Sequence, residues 1–142
     1  MEMWDRRFLE LASHISDWSK DPRTKVGSVI VSDRRRIVSV GYNGFPRGVD
    51  DTEDRLQNRD TKLLFIAHAE RNALDNAECS VVDSTLYTTL FPCNECTKSI
   101  IQRSVKRIVS YKFDYELIER FNFDVSLKMF NECGIECTFY DK

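Results

Sequence analysis

The sequence lacks any long run of apolar residues. Its longest one covers only residues 63–67, whereas a membrane-spanning helix needs about 20 apolar residues. The first residues, Met-Glu-Met-Trp-Asp-Arg-Arg, also lack the apolar core of a secretory signal peptide. We therefore expect a cytoplasmic protein that is neither secreted nor inserted in a membrane.

The sequence also has little proline, no low-complexity tract and no internal repeat. Only 3 of its 142 residues are proline, while 42% are hydrophobic and 11% aromatic, which is typical of a folded globular domain. A chain of this length buries roughly 69% of the surface that it exposes when unfolded, so its core needs no disulfide. We predict a single domain over residues 1–142.

An excess of positive charge is missing as well. The chain has 21 basic and 23 acidic residues, for a net charge of −2. Duplex nucleic acid is bound by neutralising many phosphates, so this balance disfavours such a partner. It still allows a local basic pocket that holds a single phosphate.

The cysteine count argues against a disulfide framework. The chain has five cysteines, an odd number, and no export signal accompanies them. Such cysteines are expected to be free thiols, thiolate ligands or catalytic residues. Only two histidines are available to share a metal site with them.

Apolar patterning along the chain predicts four helices and five strands. In chain order we expect a helix from Trp4 to Trp18, strands at 25–32 and 37–42, a helix at 67–77, a strand at 85–89, a helix at 93–103, a strand at 107–111, a helix at 124–133 and a strand from residue 135. The polar segment that runs to about residue 60 is expected to be a loop. Gly134 is expected to follow the end of the last helix.

This order of elements predicts an α/β fold with three layers, α/β/α. The short connection between the first two strands favours an antiparallel hairpin. Helices between the last three strands imply right-handed crossovers, so these three strands should be parallel. We expect a five-stranded mixed sheet with helices on both faces.

Two short motifs carry the chemistry of a metal site, at residues 68–70 (His-Ala-Glu) and 92–96 (Pro-Cys-Asn-Glu-Cys). Each opens a predicted helix, where the helix dipole lowers the pKa of a thiol and favours the thiolate. Cys93 and Cys96 are three residues apart, so both can face one centre together with His68. One imidazole and two thiolates suit Zn²⁺ and leave a tetrahedral position open for water.

Two other interpretations of the cysteines remain open. The Cys-x-x-Cys spacing also occurs in redox-active pairs. A closed structural zinc site would need Cys79, Cys133 or Cys137 as its fourth ligand. Glu70 favours the catalytic interpretation, because a carboxylate beside the metal can take a proton from water and deliver it elsewhere.

Four segments of the sequence match a known pattern. They are Ser19-Lys20-Asp21-Pro22 with Val26-Gly27, residues 41–46 (Gly-Tyr-Asn-Gly-Phe-Pro), residues 68–70, and residues 89–96 (Thr-Leu-Phe-Pro-Cys-Asn-Glu-Cys). Because of these segments, almost the whole chain resembles the zinc-dependent deoxycytidylate (dCMP) deaminases. The resemblance implies their cytidine deaminase-like fold. The His-x-Glu and Pro-Cys-x-x-Cys motifs are shared by zinc deaminases in general. The first two segments are more specific and point to a nucleotide monophosphate.

The resemblance implies hydrolysis of dCMP to dUMP and ammonia, which supplies dUMP for thymidylate synthesis. It assigns one zinc ion per chain to His68, Cys93 and Cys96. It also assigns the proton shuttle to Glu70, which protonates N3 of the cytosine ring while a zinc-activated water attacks C4.

By the same resemblance, six residues contact the substrate. They are Arg23 near the phosphate, Asn43 at the sugar hydroxyl, Phe91 against the base, and Ala69, Pro92 and Tyr115. Four of them have structural alternatives. Asn43 can serve as a turn residue, Arg23 as a surface cation, Phe91 as a core aromatic and Tyr115 as a packing residue at a helix start.

Many relatives of this kind are activated by dCTP, inhibited by dTTP and assembled as hexamers. The resemblance therefore implies these effectors and a homo-oligomer, either a hexamer or a dimer. The regulatory site would involve Asn43, Gly44, Phe45, Arg47 and Gly48, with Mg²⁺ accompanying the triphosphate. Some relatives hold a second zinc before the His-Ala-Glu motif, but residues 44–67 contain no cysteine or histidine, so we predict one.

Two alternatives to dCMP deamination stay open. One is a zinc deaminase of another cytosine or adenine base or nucleotide, and the near-neutral charge counts against an RNA substrate. The other is a non-catalytic interaction module stabilised by zinc. That alternative leaves Glu70, beside an open zinc position, without a role.

Overall fold

Seven helices and five strands make up the chain, and the computed structural model describes all 142 residues. The helices are α1 (Glu2–Ser16), α2 (Glu53–Gln57), α3 (Arg59–Phe65), α4 (Ala69–Asn76), α5 (Asn94–Gln102), α6 (Tyr115–Phe121) and α7 (Phe123–Glu132). The strands are β1 (Gly27–Val31), β2 (Ile37–Tyr42), β3 (Thr85–Thr88), β4 (Arg107–Tyr111) and β5 (Glu136–Tyr140). None of the helices has both the length and the apolar content that a membrane crossing requires.

All five strands join one mixed sheet in the order β2-β1-β3-β4-β5. β1 runs antiparallel to both β2 and β3. β4 lies between β3 and β5 and is parallel to both. This arrangement confirms the predicted antiparallel hairpin and the predicted parallel order of the last three strands.

Helices cover the sheet on both faces, which confirms the three-layer architecture. On one face, α1 packs Phe8, Leu9 and Ala12 against Val29 of β1 and Val109 of β4. Successive residues of a strand point to opposite faces, so the neighbours of these valines face the other layer, formed by α4, α5 and α7. The cluster on that face includes Ile30, Ala73, Leu86, Ile100, Ile108, Phe123 and Phe130.

Three helices of the structure, α2, α3 and α6, were absent from the predicted order of elements. The polar segment predicted as a loop contains α2 and α3. Oγ1 of Thr52 caps the first of them by accepting a hydrogen bond from the Arg55 N–H at 3.4 Å, and Oδ1 of Asn58 caps the second by accepting one from the Thr61 N–H at 3.0 Å. Helices this short carry too little apolar periodicity to be recognised in the sequence.

The third unpredicted helix, α6, lies between β4 and α7. Asn122, in the left-handed conformation with φ of +56°, ends α6 and turns the chain directly into α7. Gly134 follows the end of α7 with φ of +71°, as predicted for a residue after a helix C-terminus.

α4 approaches β2 so closely that only glycine fits at position 41. A Cβ on Gly41 would overlap the backbone nitrogen of Ala73 and the carbonyl oxygen of Ala69. The Ser39 hydroxyl also donates a hydrogen bond to the Ala73 carbonyl at 2.7 Å. These contacts hold α4 against the sheet and so set the position of its first turn.

A buried ion pair connects α1 to β4. Nη1 and Nη2 of Arg107 donate to the two carboxylate oxygens of Asp5 at 2.8 and 2.7 Å, and the hydroxyls of Tyr87 and Tyr140 donate to the same oxygens at 2.9 and 2.7 Å. Burial alone would raise the pKa of Asp5. The hydrogen bonds from Arg107, Tyr140 and Tyr87 outweigh burial, so the pKa lies below its ordinary value.

We expect Asp5→Asn to lower the free energy of unfolding by about 3 kcal/mol at neutral pH, because it leaves Arg107 without its buried partner. The difference from the wild type should shrink as the pH falls below about 4, where unfolded aspartates become protonated. The pKa of Asp5 is lowered in the folded chain, so its stabilisation is complete above the unfolded pKa and is lost as the pH falls through the folded one. Urea unfolding of both proteins between pH 3 and 7 measures this difference. A difference that stays constant with pH would contradict the assignment.

Candidate metal centre and active site

Three potential metal ligands converge where α4 and α5 begin. His68 occupies the N-cap position of α4, Cys93 occupies that of α5, and Cys96 lies in the first turn of α5. His68 Nδ1 lies 3.5 Å from the Cys93 sulfur and 3.3 Å from the Cys96 sulfur. The structure thus brings together three donors that are up to 28 residues apart in the chain.

The spacing of these donors fits a tetrahedral zinc ion. All three ligand atoms lie within 4.8 Å of one another. Bonds of about 2.3 Å to sulfur and 2.0 Å to nitrogen at tetrahedral angles require a sulfur–nitrogen separation of about 3.5 Å, close to the observed values. One imidazole and two thiols are a donor set that zinc prefers.

No fourth cysteine joins this group. Cys79 and Cys133 are exposed, and Cys137 lies half-buried in β5. Because the group of potential ligands contains only His68, Cys93 and Cys96, one tetrahedral position stays free for another ligand. The closed structural zinc site considered from the sequence is therefore not formed.

The two thiols of the centre differ in their tendency to ionise. Hydrogen bonding with the Cys96 side chain and with His68 lowers the pKa of Cys93 to about 4. The Cys93 sulfur and burial in turn raise the pKa of Cys96. The centre thus favours a thiolate, and metal binding to both sulfurs would release any proton that the pair of thiols still holds.

Glu70 lies in the first turn of α4, buried beneath the helix and only 4% exposed. Its Oε1 accepts a hydrogen bond from the Thr88 hydroxyl at 3.2 Å, and the Ser28 hydroxyl donates to Thr88 at 3.1 Å. Burial raises the pKa of Glu70 above its ordinary value. A raised pKa suits a carboxylate that gains and loses a proton near neutral pH.

A cavity opens beside the metal ligands and Glu70. Six of the residues predicted from the sequence line this cavity, which we call the active-site cavity. They are Asn43, His68, Ala69, Glu70, Phe91 and Cys93. Phe91 is 2% exposed and its ring also packs against several core phenylalanines, so it contributes to both the cavity wall and the core.

A buried ion pair in the cavity wall was not predicted. Nζ of Lys62 lies 3.0 Å from Oδ1 of Asp21, and both side chains are at most 7% exposed. The Asn43 side chain fastens this wall, because its Nδ2 donates to the Thr24 carbonyl at 2.8 Å and its Oδ1 accepts from the Val26 N–H at 2.9 Å. Asp21 belongs to a segment that the family resemblance singled out, but nothing in the sequence pairs it with Lys62.

Three residues predicted to contact the substrate do not line the active-site cavity. Arg23 is exposed, and Tyr115 is 90% exposed at the start of α6. Pro92 lies behind the cavity, where its carbonyl accepts a hydrogen bond from the Ser126 hydroxyl at 2.9 Å. The structure brings Arg120 and Phe121, at the end of α6, to the cavity lining instead.

Most residues of the predicted regulatory loop line a second cavity against α4. Gly44, Phe45 and Arg47 contribute to it, while Gly48 does not and Asn43 faces the active-site cavity. Nη2 of Arg47 also donates to the Asn76 side chain of α4 at 2.9 Å.

This loop is hydrogen-bonded to the chain just before the metal ligand. The Gly44 N–H donates to the Ala67 carbonyl at 3.1 Å, and the Ala67 N–H donates to the Gly44 carbonyl at 2.9 Å. Ala67 directly precedes His68, so the loop is connected to a metal ligand through a single residue.

A family model described as the "Cytidine and deoxycytidylate deaminase zinc-binding region" matches residues 2–112. The match contains His68, Glu70, Cys93 and Cys96. It ends just after β4, before α6 begins.

Two curated proteins are similar to this chain. A "Probable deoxycytidylate deaminase" of Caenorhabditis elegans is 50% identical over 107 residues, which cover 72% of this chain and 54% of that protein. An "Uncharacterized deaminase in luxG 3′ region" of Aliivibrio fischeri is 38% identical over 138 residues, which cover 96% of this chain and 92% of that protein. The chain thus spans about half the length of the nematode protein and nearly all of the bacterial one.

A solved structure with a similar fold is the dCMP deaminase of the cyanophage S-TIM5, crystallised in complex with dCMP and dUMP. It is 28% identical to this chain, with a TM-score of 0.77, and the likeness covers 99% of this chain and 98% of that one.

Proposed function

The chain belongs to the cytidine and deoxycytidylate deaminase zinc-binding family, and on that premise we propose that it hydrolyses dCMP to dUMP and ammonia. The observation that carries the choice of substrate is the full-length likeness to the cyanophage enzyme, which was crystallised with dCMP and dUMP. The product, dUMP, would then supply thymidylate synthesis. A cytoplasmic location fits this proposal, because a reducing compartment preserves thiolate ligands.

The proposed chemistry divides between a zinc ion and Glu70. A zinc ion held by His68, Cys93 and Cys96 would act as a Lewis acid that lowers the pKa of a water molecule. Glu70 takes a proton from the attacking water at its carboxylate and delivers it to N3 of the cytosine ring. It then helps to protonate the departing amino group. The buried position of Glu70 and its contact with Thr88 support this role.

We assign the sugar contact to Asn43. Its Oδ1 accepts one hydrogen bond, from the Val26 N–H, and an amide oxygen has a second lone pair that can accept from a sugar hydroxyl. Its amide group is already engaged with the Thr24 carbonyl, which supports a fixed orientation of the oxygen. Phe91 and Ala69 would form the wall against which the base packs.

The test is ammonia release by the zinc-loaded chain from dCMP, CMP, dCTP and cytosine in parallel. We expect turnover of dCMP with the highest kcat/KM. If one zinc per chain is confirmed and dCMP is not deaminated, the proposal is wrong, and the compound that does release ammonia identifies the substrate.

Regulation is proposed on separate grounds. We propose that dCTP activates and dTTP inhibits a homo-oligomer of this chain, each bound with Mg²⁺ at the loop of residues 43–48. The second cavity and the bridge between Gly44 and Ala67 support a path from that loop to the metal centre. Saturation curves for dCMP with and without each triphosphate, measured beside the oligomer mass, test this. Curves that neither triphosphate shifts would remove the regulatory proposal.

A further inference from the structure

Two acidic and two basic side chains line the active-site cavity beside His68: Asp21, Glu70, Lys62 and Arg120. Lys62 is buried and its ammonium lies 3.0 Å from Asp21, so its charge is compensated within the chain. The ion pair therefore adds no net charge to the cavity wall.

Arg120 differs from Lys62 in its exposure to solvent and in its lack of an ion-pair partner. It is exposed, and it takes part in none of the seven ion pairs of the structure. Its guanidinium carbon lies 4.9 Å from the centre of the Phe121 ring, a cation–π contact that leaves its N–H donors free. Arg120 is the one cation of the lining that has no carboxylate partner.

The surroundings of α6 hold this arginine at the cavity. Phe121 stacks on Phe123 of the core with ring centres 5.5 Å apart. Nδ2 of Asn122 donates to the Asn94 side chain at 3.2 Å, and Asn94 directly follows the metal ligand Cys93. The end of α6 is thus attached to the start of α5, beside the proposed reaction centre.

We propose that Arg120 binds the 5′-phosphate of the nucleotide and so makes the chain select a nucleoside monophosphate over the nucleoside. This inference rests on the proposed function and names the residue that recognises its substrate. A guanidinium matches two phosphate oxygens with parallel N–H donors, which makes it a strong phosphate ligand. Arg23, to which the sequence pattern gave this role, does not line the cavity.

The experiment compares dCMP with deoxycytidine as substrates for the zinc-loaded full-length chain and its Arg120→Gln variant. We expect the KM for dCMP to rise about 10- to 100-fold with little change in kcat, because a charge-assisted pair of hydrogen bonds is lost. The kcat/KM for deoxycytidine should stay the same. Arg120→Lys should restore part of the affinity for dCMP, since it keeps the positive charge. The recovery should be incomplete, because an ammonium does not offer the two parallel N–H donors of a guanidinium.

Arg34→Gln is the matched control, because Arg34 is also exposed but lies in the turn between β1 and β2. Arg23→Gln tests the competing assignment. The inference is overturned if Arg120→Gln leaves the preference for dCMP over deoxycytidine unchanged, or if Arg23→Gln alone abolishes it.

A failure of the proposed function gives a different result. In that case the zinc-loaded wild type releases no ammonia from dCMP, and calorimetric binding of dCMP and deoxycytidine replaces the assay. If Arg120→Gln weakens the binding of dCMP and leaves the binding of deoxycytidine unchanged, the phosphate contact is still supported. Equal binding of dCMP by wild type and variant would overturn it.

Discussion

Replacing Glu70 by glutamine is expected to lower kcat/KM for dCMP by about 1,000-fold while the chain still binds one zinc ion. Proton transfer by a positioned side chain contributes about 10²- to 10⁴-fold to a reaction rate. Glutamine has nearly the same shape, and its amide oxygen can still accept the hydrogen bond from Thr88. The substitution therefore removes the titratable group with little change in packing. Ammonia release and the zinc content of the purified variant measure the two effects separately.

The matched control for this variant is Glu95→Gln. Glu95 also lies in the first turn of a helix that carries a metal ligand, but its side chain is 72% exposed and pairs with Lys98. This control should keep wild-type turnover, because Glu95 does not line the active-site cavity. A Glu70→Gln variant that binds zinc and reacts at near-native rates would show that Glu70 is not the proton shuttle.

The metal centre could be predicted from the sequence because all of its residues lie in two short motifs. Cys93 and Cys96 are one helical turn apart, and His68 and Glu70 begin another helix, so two short motifs contain the whole set. The directions of the strands in the first hairpin and among the last three strands were predictable for a similar reason, since each connection fixes the relative direction of the two strands that it joins. The family predicted from the same motifs is confirmed by the family match over residues 2–112.

The part of the active-site cavity that is lined by Asp21, Lys62 and Arg120 could not be predicted, because it depends on contacts between distant segments. Asp21 and Lys62 are 41 residues apart and lie in segments whose polar pattern is typical of exposed loops. Arg120 lies at the end of α6, a helix that was absent from the predicted order of elements. Such contacts follow from tertiary packing and leave no periodic signal in the sequence.

The buried pair of Asp21 and Lys62 leads to a large expected change in stability in the wall of the active-site cavity. We expect Asp21→Asn to lower the free energy of unfolding by about 3 kcal/mol, because it leaves the Lys62 ammonium buried without a counter-charge. Asparagine keeps a side-chain oxygen for the Arg23 and Thr24 N–H groups, which donate to Asp21 at 2.8 and 3.1 Å, so the local turn is preserved. Urea unfolding of the zinc-loaded protein at neutral pH measures the loss.

The exposed pair of Lys20 and Asp51 provides the matched control. Its nitrogen–oxygen distance is 2.8 Å, but the side chains are 68% and 43% exposed, so Asp51→Asn should cost less than about 1 kcal/mol. Adding Lys62→Met to Asp21→Asn should recover much of the lost stability, because the double variant no longer buries an unpaired charge. Additive losses would mean that the pair acts through packing alone.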